Sequence, residues 1–264
     1  MSLPWRDPVR VSLAPGEVSL ALRDFGFRGF GERERKLRPQ LVLRAPAWKA
    51  AVDALAQALD PPPPRAARAR VVLSNHFVRY AIVPWRDDLA TPADREAFVR
   101  EVFEEHYGSA CAGWTLREDN ATAGLPSLAC GVDTQLIETL RETFRKARMR
   151  IAAVQPFYMA AFNRHRRAVG ERGCFLVYEH GRLCSGSFQD SQWRAIHGAR
   201  VDVGTPIEAA IDQEVIRHGL GADAPVSLCA VDQCELPSVF ARPVTVLEQR
   251  EAARCETRAH AAVA

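Results

Sequence analysis

The sequence predicts an α/β protein in which one layout of strands and helix begins twice. The first observation is the alternation of apolar and polar residues on both sides of Pro15-Gly16 in Val9 to Arg23, which is typical of two strands joined by a tight turn. The second is that three short strands and a helix start occur again from Cys174 onward. The third is composition, since 264 residues that are 47% hydrophobic and 25% charged are typical of a globular chain with a sizeable core.

The elements that follow the opening hairpin are predicted from local patterns. The glycine- and charge-rich stretch from Asp24 to Pro39 predicts a loop, which leads to a short strand, "QLVLRA", at residues 40–45. Apolar residues then recur at helical spacing, and four consecutive prolines at residues 61–64 end the predicted helix. The apolar positions of that helix are Trp48, Val52, Leu55 and Leu59.

The stretch "VVLSNHFVRYAIVPW", Val71 to Trp85, predicts a second hairpin with its tip at Ser74-Asn75-His76. Ser74, His76 and Arg79 are also residue types found in hydrolase sites. However, Ser-Asn-His is typical turn chemistry and the sequence has no G-x-S-x-G motif, so we favour a hairpin tip over a catalytic site.

The next segment predicts a helix, two strands, a helix, a strand and a helix. Thr91-Pro92 with Asp94 is a typical helix start, and the strands "AGWTLRED" and "SLACGVD" follow that helix. Asp133 is predicted to cap the second helix, after which "RMRIAAVQPF" predicts a strand and "YMAAFNRHRRAVG" a helix.

The second half is predicted to start from Cys174 with three strands separated by His180-Gly181 and Gln189-Asp190. Thr205 and Glu208 have the spacing of a capping box at the start of a helix. Two further strands, "PVSLCA" and "PVTVLE", come after it.

The segment from Val71 to Asn163 resembles the pilus-assembly branch of the actin-like ATPases, that is, PilM-type type IV pilus proteins and the cytoplasmic part of the type II secretion L subunit. The matching pieces are "VRYAIVP" before a helix, "KARMRIAAVQPF", and a P-x-x-x-A-x-x-N pattern from Pro156 to Asn163. The resemblance implies a duplicated actin-like (RNase H-like) ATPase fold with an inserted small α+β subdomain and an abbreviated second half. The implied domains are residues 1–170, with the insertion at about 76–120, and residues 171–264.

Members of the actin-like fold that bind ATP hold its phosphates with two hairpin loops, usually D-x-G. At the corresponding positions this sequence keeps Gly16 without a preceding aspartate, and offers Glu179-His180-Gly181 in the second loop. The glycine pair expected near the adenosine is absent from "VSLCAVDQCELP". We therefore predict a pseudo-ATPase that keeps the scaffold, with no cofactor, no metal and no catalytic residue.

Other site chemistries are less favoured. His180 and His197 could ligate a metal with Glu179, but they lack the spacing of a known metal motif, so we favour surface histidines. The seven cysteines, with no C-x-x-C pair, predict reduced, buried side chains. A formal charge of +3, from 35 basic and 32 acidic residues, does not indicate a nucleic-acid partner.

The sequence contains no signal peptide and no apolar window long enough to span a bilayer, so we expect a cytoplasmic protein that reaches the inner membrane only through a partner. We therefore favour a non-enzymatic scaffold of a pilus or type II secretion-like machine. Because the insertion keeps its length and pattern while the nucleotide loops are degenerate, we hypothesise that a short segment of an inner-membrane partner docks in the groove between the insertion and the core. Arg79, Tyr80 and Trp85 are the predicted contact residues, although both aromatic residues could instead belong to the core of the insertion. The alternative function is a divergent ATPase or small-molecule kinase, and the oligomeric state stays open.

Overall fold

The computed structural model describes residues 9–26, 29–37, 47–62, 68–89, 91–119, 122–179, 181–230, 236–237 and 239–249. The predicted strand at residues 40–45 lies outside these ranges, and so do His180, Cys234 and Cys255.

The first half of the chain forms a five-stranded mixed sheet. Its three opening strands are antiparallel neighbours, and two later strands are then added in parallel to the first. The sheet order is β3-β2-β1-β4-β8, where β1 is Val9–Leu13, β2 is Val18–Gly26, β3 is Gly29–Leu37, β4 is Arg68–Leu73 and β8 is Arg150–Pro156.

The second half repeats this topology strand for strand. Three antiparallel strands are again followed by two parallel additions next to the first of them. The order is β11-β10-β9-β12-β13, where β9 is Gly173–Glu179, β10 is Arg182–Gln189, β11 is Gln192–Arg200, β12 is Val226–Ala230 and β13 is Val244–Gln249. The predicted duplication is therefore confirmed. Residues 74–149 separate β4 from β8, whereas only residues 231–243 separate the equivalent β12 and β13.

A third, smaller sheet is inserted after β4. Its order is β5-β7-β6, all antiparallel, with β5 at Val78–Val83, β6 at Trp114–Glu118 and β7 at Ser127–Asp133. The insertion at residues 76–120 stays a prediction as a domain boundary, but the sheet of the insertion also uses β7, which lies beyond residue 120.

Five α-helices complete the described chain, and the predicted start signals explain several of them. Thr91 and Asp94 form a reciprocal capping box, and the Asp133 carboxylate accepts a hydrogen bond of 2.8 Å from the amide of Gln135. The helices are α1 Ala47–Ala58, α2 Pro92–Tyr107, α3 Thr134–Lys146, α4 Phe157–Val169 and α5 Ile207–Arg217.

Three predictions from local pattern are wrong. Residues 29–37 of the predicted loop form β3, because pairing with β2 satisfies the backbone of a stretch whose glycines and charges do not favour a strand. The predicted hairpin of Val71 to Trp85 does not form, because β4 pairs with β1 and β8 while β5 pairs with β7 of the other sheet. Finally, α5 starts after Pro206 with no side-chain cap, so Thr205 is not the capping residue.

Helix α4 joins the two halves through one continuous hydrophobic core. It follows β8 in the chain, yet Tyr158 and Phe162 on this helix pack against Phe175 of β9 and Trp193 of β11. The ring centroids of Phe162 and Trp193 are 4.7 Å apart. Since α4 contributes to both halves, their relative placement is fixed by apolar packing as well as by hydrogen bonds.

Candidate functional site

The loop after β4 is where the first half, the inserted sheet and the second half meet. Asn75 is fully buried, and its Oδ1 accepts hydrogen bonds from the hydroxyl of Tyr80 at 2.8 Å and from the amide of Tyr158 at 3.1 Å. Its backbone N–H donates to the carboxylate of Glu179 at 2.9 Å. Ser74-Asn75-His76 does form the predicted turn, closed by a hydrogen bond of 2.9 Å from the Phe77 amide to the Ser74 oxygen. It is not the tip of a hairpin, however, because Ser74 and Asn75 are buried where three parts of the fold meet.

Glu179 lies at the end of β9, directly before the β9–β10 turn, which the sequence analysis predicted to be the degenerate second phosphate loop. Its side chain is 5% exposed and accepts from the Asn75 amide, while Nε2 of His76 lies 3.3 Å from its backbone oxygen. The carboxylate is therefore bound within the protein and joins the two halves. Gly181 has a φ of 72°, which explains why glycine suits this turn.

Gly16 is exposed in the β1–β2 turn, and a Cβ placed there would have no atom within 4 Å. The hydrogen bond of 2.9 Å from the Ala14 amide to the Glu17 oxygen closes this turn. Gly16 and Gly181 thus occupy the tips of equivalent hairpins in the duplicated sheets. Their assignment as degenerate phosphate-loop positions stays a prediction.

A cleft with a volume of about 250 Å³ lies between the start of α1 and the inserted sheet. Residues of the β4–β5 loop line it, and the lining includes three large aromatic side chains and two charged ones. The lining residues are Ala47, Trp48, His76, Phe77, Arg79, Trp114, Gly131 and Asp133.

The aromatic walls of the cleft are held in place by hydrogen bonds and packing. Nε1 of Trp48 donates to Oδ2 of Asp133 at 3.0 Å, while Oδ1 of the same carboxylate caps α3. Trp114 packs over β7 at Gly131, where a Cβ would come within 2.9 Å of its ring. Such a Cβ would also come within 2.9 Å of Leu116 and Phe103, so a larger residue here would disturb the packing that positions Trp114.

Arg79 contributes the cation of the cleft. It lies on β5 opposite Gly131, and its Nη1 donates to the backbone oxygens of Val78 at 2.9 Å and His76 at 3.1 Å. The guanidinium has no carboxylate partner among the described residues. Burial, together with the nearby positive charge of Arg182, lowers the pKa of Arg79.

Arg182 lies at the start of β10 and extends toward β11. Its Nη2 lies 3.4 Å from the oxygen of Gly198, and its buried Nε has no hydrogen-bond partner in the described part of the chain. Two guanidinium groups thus approach each other where β5 contacts β11.

The other predicted contact residues lie away from the cleft lining. Tyr80 is 5% exposed, which leaves almost no surface for a partner, and its ring centroid is 5.7 Å from that of Tyr158. Trp85 is partly exposed, and its Nε1 donates to Asp87 at 2.7 Å, while the guanidinium of Arg95 lies 5.7 Å from its ring centroid. Of the predicted trio, the structure thus places Arg79 alone at this cleft.

A second polar cluster in the other half was missed by the sequence analysis. Glu214 on α5 is 2% exposed and accepts hydrogen bonds from Ser185 at 2.6 Å and from Nδ1 of His197 at 3.0 Å. Ser185 also lies 2.8 Å from Nε2 of His218. Burial would raise the pKa of Glu214, but the hydrogen bonds from His197 and Ser185 and the charge of Arg217 outweigh it and lower that pKa.

The metal site of His180, His197 and Glu179 that the sequence analysis disfavoured has no support in this cluster, since His197 pairs with Glu214. No group of three or more potential metal ligands occurs among the described residues. The described cysteines are free, as predicted, and burial raises the pKa of Cys184 to about 12. Within the described part of the chain, no helix is both long and apolar enough to cross a bilayer.

Solved structures with the same architecture identify the fold. The cytoplasmic domain of EpsL, an inner membrane component of the type II secretion system of Vibrio cholerae, is 10% identical and superposes with a TM-score of 0.56 over 90% of this chain and 88% of its own. This chain has the actin-like ATPase fold. A PilM-PilN type IV pilus biogenesis complex gives the same score at 13% identity, covering 86% of this chain and 82% of the other.

A protein of unknown function from Bacteroides thetaiotaomicron, described as having the actin-like ATPase fold, also gives a TM-score of 0.56, at 7% identity over 86% of this chain and 82% of its own. At these identities the likeness establishes the fold alone, and at that level it confirms the resemblance predicted from the sequence. No family model matches the sequence, and no curated protein matches it.

Proposed function

We propose that the protein is a non-enzymatic cytoplasmic scaffold of a type IV pilus or type II secretion-like assembly machine. In this proposal a short cytoplasmic segment of an inner-membrane protein docks in the cleft between α1 and the inserted sheet, and this partner holds the scaffold at the membrane. The observation that carries the proposal is the cleft itself, with its aromatic walls and Arg79, a lining cation that has no carboxylate partner among the described residues.

The shape and chemistry of the cleft support a peptide partner. A volume of about 250 Å³ with Trp48, Phe77 and Trp114 on its walls suits one or two apolar side chains. Large aromatic residues and arginine also dominate the binding energy of protein interfaces. The fold likeness adds support, because one similar structure is a PilM complex with PilN and another is part of an inner-membrane secretion component.

The hairpin turns support the absence of nucleotide chemistry. Glu179 is the acidic residue nearest the second turn, and its carboxylate is bound by the Asn75 amide inside the junction. The first turn contains Gly16 without an aspartate. A Mg²⁺ ion with a nucleotide needs carboxylate or other oxygen ligands and phosphate-binding amides, so these turns offer little to either.

The alternative is a divergent ATPase or small-molecule kinase of the same fold. The two functions differ in thermal unfolding with Mg-ATP. A ligand far below its dissociation constant contributes almost nothing through RT ln(1 + [L]/Kd), so we expect no change in Tm even at millimolar Mg-ATP. A dose-dependent rise in Tm would favour the enzyme.

The docking site is tested by capture from detergent-solubilised membranes of the source organism, with bound proteins identified by mass spectrometry. Ala47 is exposed at the start of α1 and lines the cleft, so Ala47→Trp fills the cleft without disturbing the core. We expect the wild type to capture a pilus or secretion membrane protein, and Ala47→Trp to lose it.

Trp85→Ala is the matched comparison, because Trp85 is a partly exposed aromatic residue of the same subdomain outside the cleft lining. Loss with Ala47→Trp alone supports the cleft. Loss with both variants extends the contact surface to the predicted Trp85 position. Equal capture by all three folded proteins would contradict docking in the cleft.

A further inference from the structure

Arg79 is a charged group whose usual partner is missing. It lies on the face of β5 that α2 covers further along the strand, where Ala81 and Val83 are buried against Phe103. At Arg79 this cover ends and the cleft begins. The guanidinium therefore reaches the cleft from a partly buried position.

The groups around Arg79 do not neutralise it. Its described hydrogen bonds go to two backbone oxygens, and both come from the same nitrogen, Nη1. A second cation, Arg182, lies close enough to lower the pKa of Arg79, and its own buried Nε has no partner in the described ranges. Taking a guanidinium out of water without a carboxylate costs free energy, and a second guanidinium nearby increases that cost.

The one carboxylate that lines the cleft, Asp133, is already engaged. Its two oxygens accept hydrogen bonds from the indole of Trp48 and from the backbone amide of Gln135. These bonds fix the indole of Trp48 and cap the start of α3. Asp133 and Arg79 do not form a salt bridge with each other in the described structure. An anion supplied from outside would complete the arrangement around Arg79.

We infer that the docked segment carries an acidic residue next to an apolar one, and that its carboxylate pairs with Arg79 while the apolar side chain lies between Trp48 and Trp114. This inference rests on the proposed docking function and adds the chemistry of the recognised segment. Guanidinium and carboxylate match in geometry, because two parallel N–H groups can bind both oxygens.

The test uses a phage-displayed library of random 12-residue peptides selected on the immobilised full chain. Enriched peptides are synthesised, and their affinities are measured by fluorescence anisotropy. We expect enrichment of an aspartate or glutamate beside an aromatic or aliphatic residue. We expect Arg79→Met to weaken binding about 10- to 100-fold, the range of a charge-assisted pair.

Two controls separate the possible failures. Arg117→Met removes the same charge from the same sheet, at an exposed position whose described hydrogen bond goes to a backbone oxygen, and should leave the affinity unchanged. Replacing the acidic residue of the peptide by its amide should weaken binding to the wild type but not to Arg79→Met. A purely structural role of Arg79 would not produce this coupling.

The results distinguish a failure of the acidic recognition from a failure of the docking site. Peptides that lose binding to Ala47→Trp but bind Arg79→Met as well as Arg117→Met overturn the acidic recognition and leave the docking cleft standing. Peptides that bind Ala47→Trp as well as the wild type, or a library without any peptide that depends on the cleft, overturn the docking site and with it the inference.

Discussion

Asn75→Ala is the substitution that tests the junction most directly. It removes the acceptor of the hydrogen bonds from the Tyr80 hydroxyl and the Tyr158 amide, both of which are buried. Leaving a buried donor unsatisfied costs about 1–3 kcal/mol, so two donors give about 2–6 kcal/mol. The Nδ2 of Asn75 is itself unsatisfied in the described chain, and its removal returns about 1 kcal/mol. The expected net loss is about 1–5 kcal/mol of unfolding free energy.

The measurement is equilibrium urea unfolding at neutral pH, followed by both tryptophan fluorescence and circular dichroism, because coincident transitions justify a two-state free energy. A double-mutant cycle with Tyr80→Phe identifies the bond responsible. Tyr80→Phe should cost about 1 kcal/mol in the wild type. In Asn75→Ala it should cost nothing or return about 1 kcal/mol, because there it removes a buried hydroxyl that has already lost its acceptor.

Thr91→Ala serves as the additive control, since Thr91 makes none of these contacts. It should lower stability equally in the wild type and in Asn75→Ala. A loss below about 1 kcal/mol for Asn75→Ala, or the same cost of Tyr80→Phe in both backgrounds, would refute the assignment of Asn75 as the junction residue.

Three further outcomes are expected. Gly186→Ala should lower the unfolding free energy by about 1–3 kcal/mol, because its Cβ would overlap the hydroxyl of Tyr158 on the facing helix. Gly16→Ala should change the unfolding free energy in urea by less than about 0.5 kcal/mol, because its Cβ would meet no atom within 4 Å. Thr91→Ala should cost about 1 kcal/mol and Thr205→Ala nearly nothing, since the first is a helix cap and the second is not; thermal unfolding of both variants checks this. Because the folded protein lowers the pKa of Glu214, the ionised carboxylate stabilises the fold at neutral pH, and this contribution is lost as pH falls through the folded-state pKa. In urea unfolding below about pH 5, the unfolding free energy of Glu214→Gln should therefore fall less steeply with decreasing pH than that of the wild type.

The sequence by itself determined the elements whose signals are local. The stripe of Trp48, Val52 and Leu55 predicted α1, and Thr91 with Asp94 predicted the start of α2, because helix periodicity and capping act within one or two turns. The repeated order of strands and helices was also visible, so the duplicated α/β layout and the resemblance to the actin-like fold could be predicted before any coordinates.

Tertiary structure decided which strands pair. The segment from Val71 to Trp85 has two hydrophobic arms, and the same alternation suits a hairpin or two strands in separate sheets. The strands available for pairing decide between these possibilities. In the fold, β4 pairs in parallel with β1 and β8, and β5 pairs antiparallel with β7. The stretch at residues 29–37 became a strand for the same reason.

The candidate site was decided almost entirely by contacts between residues far apart in the chain. Asn75 meets Tyr158 and Glu179 across 83 and 104 residues, and Ser185 meets Glu214 across 29. A single sequence contains no signal for contacts between such distant residues, so Asn75 resembled an ordinary turn residue. Arg79 was predicted as a contact residue, but its missing carboxylate partner became apparent only from the folded arrangement, since neutralisation of a charge depends on which groups the fold brings near it.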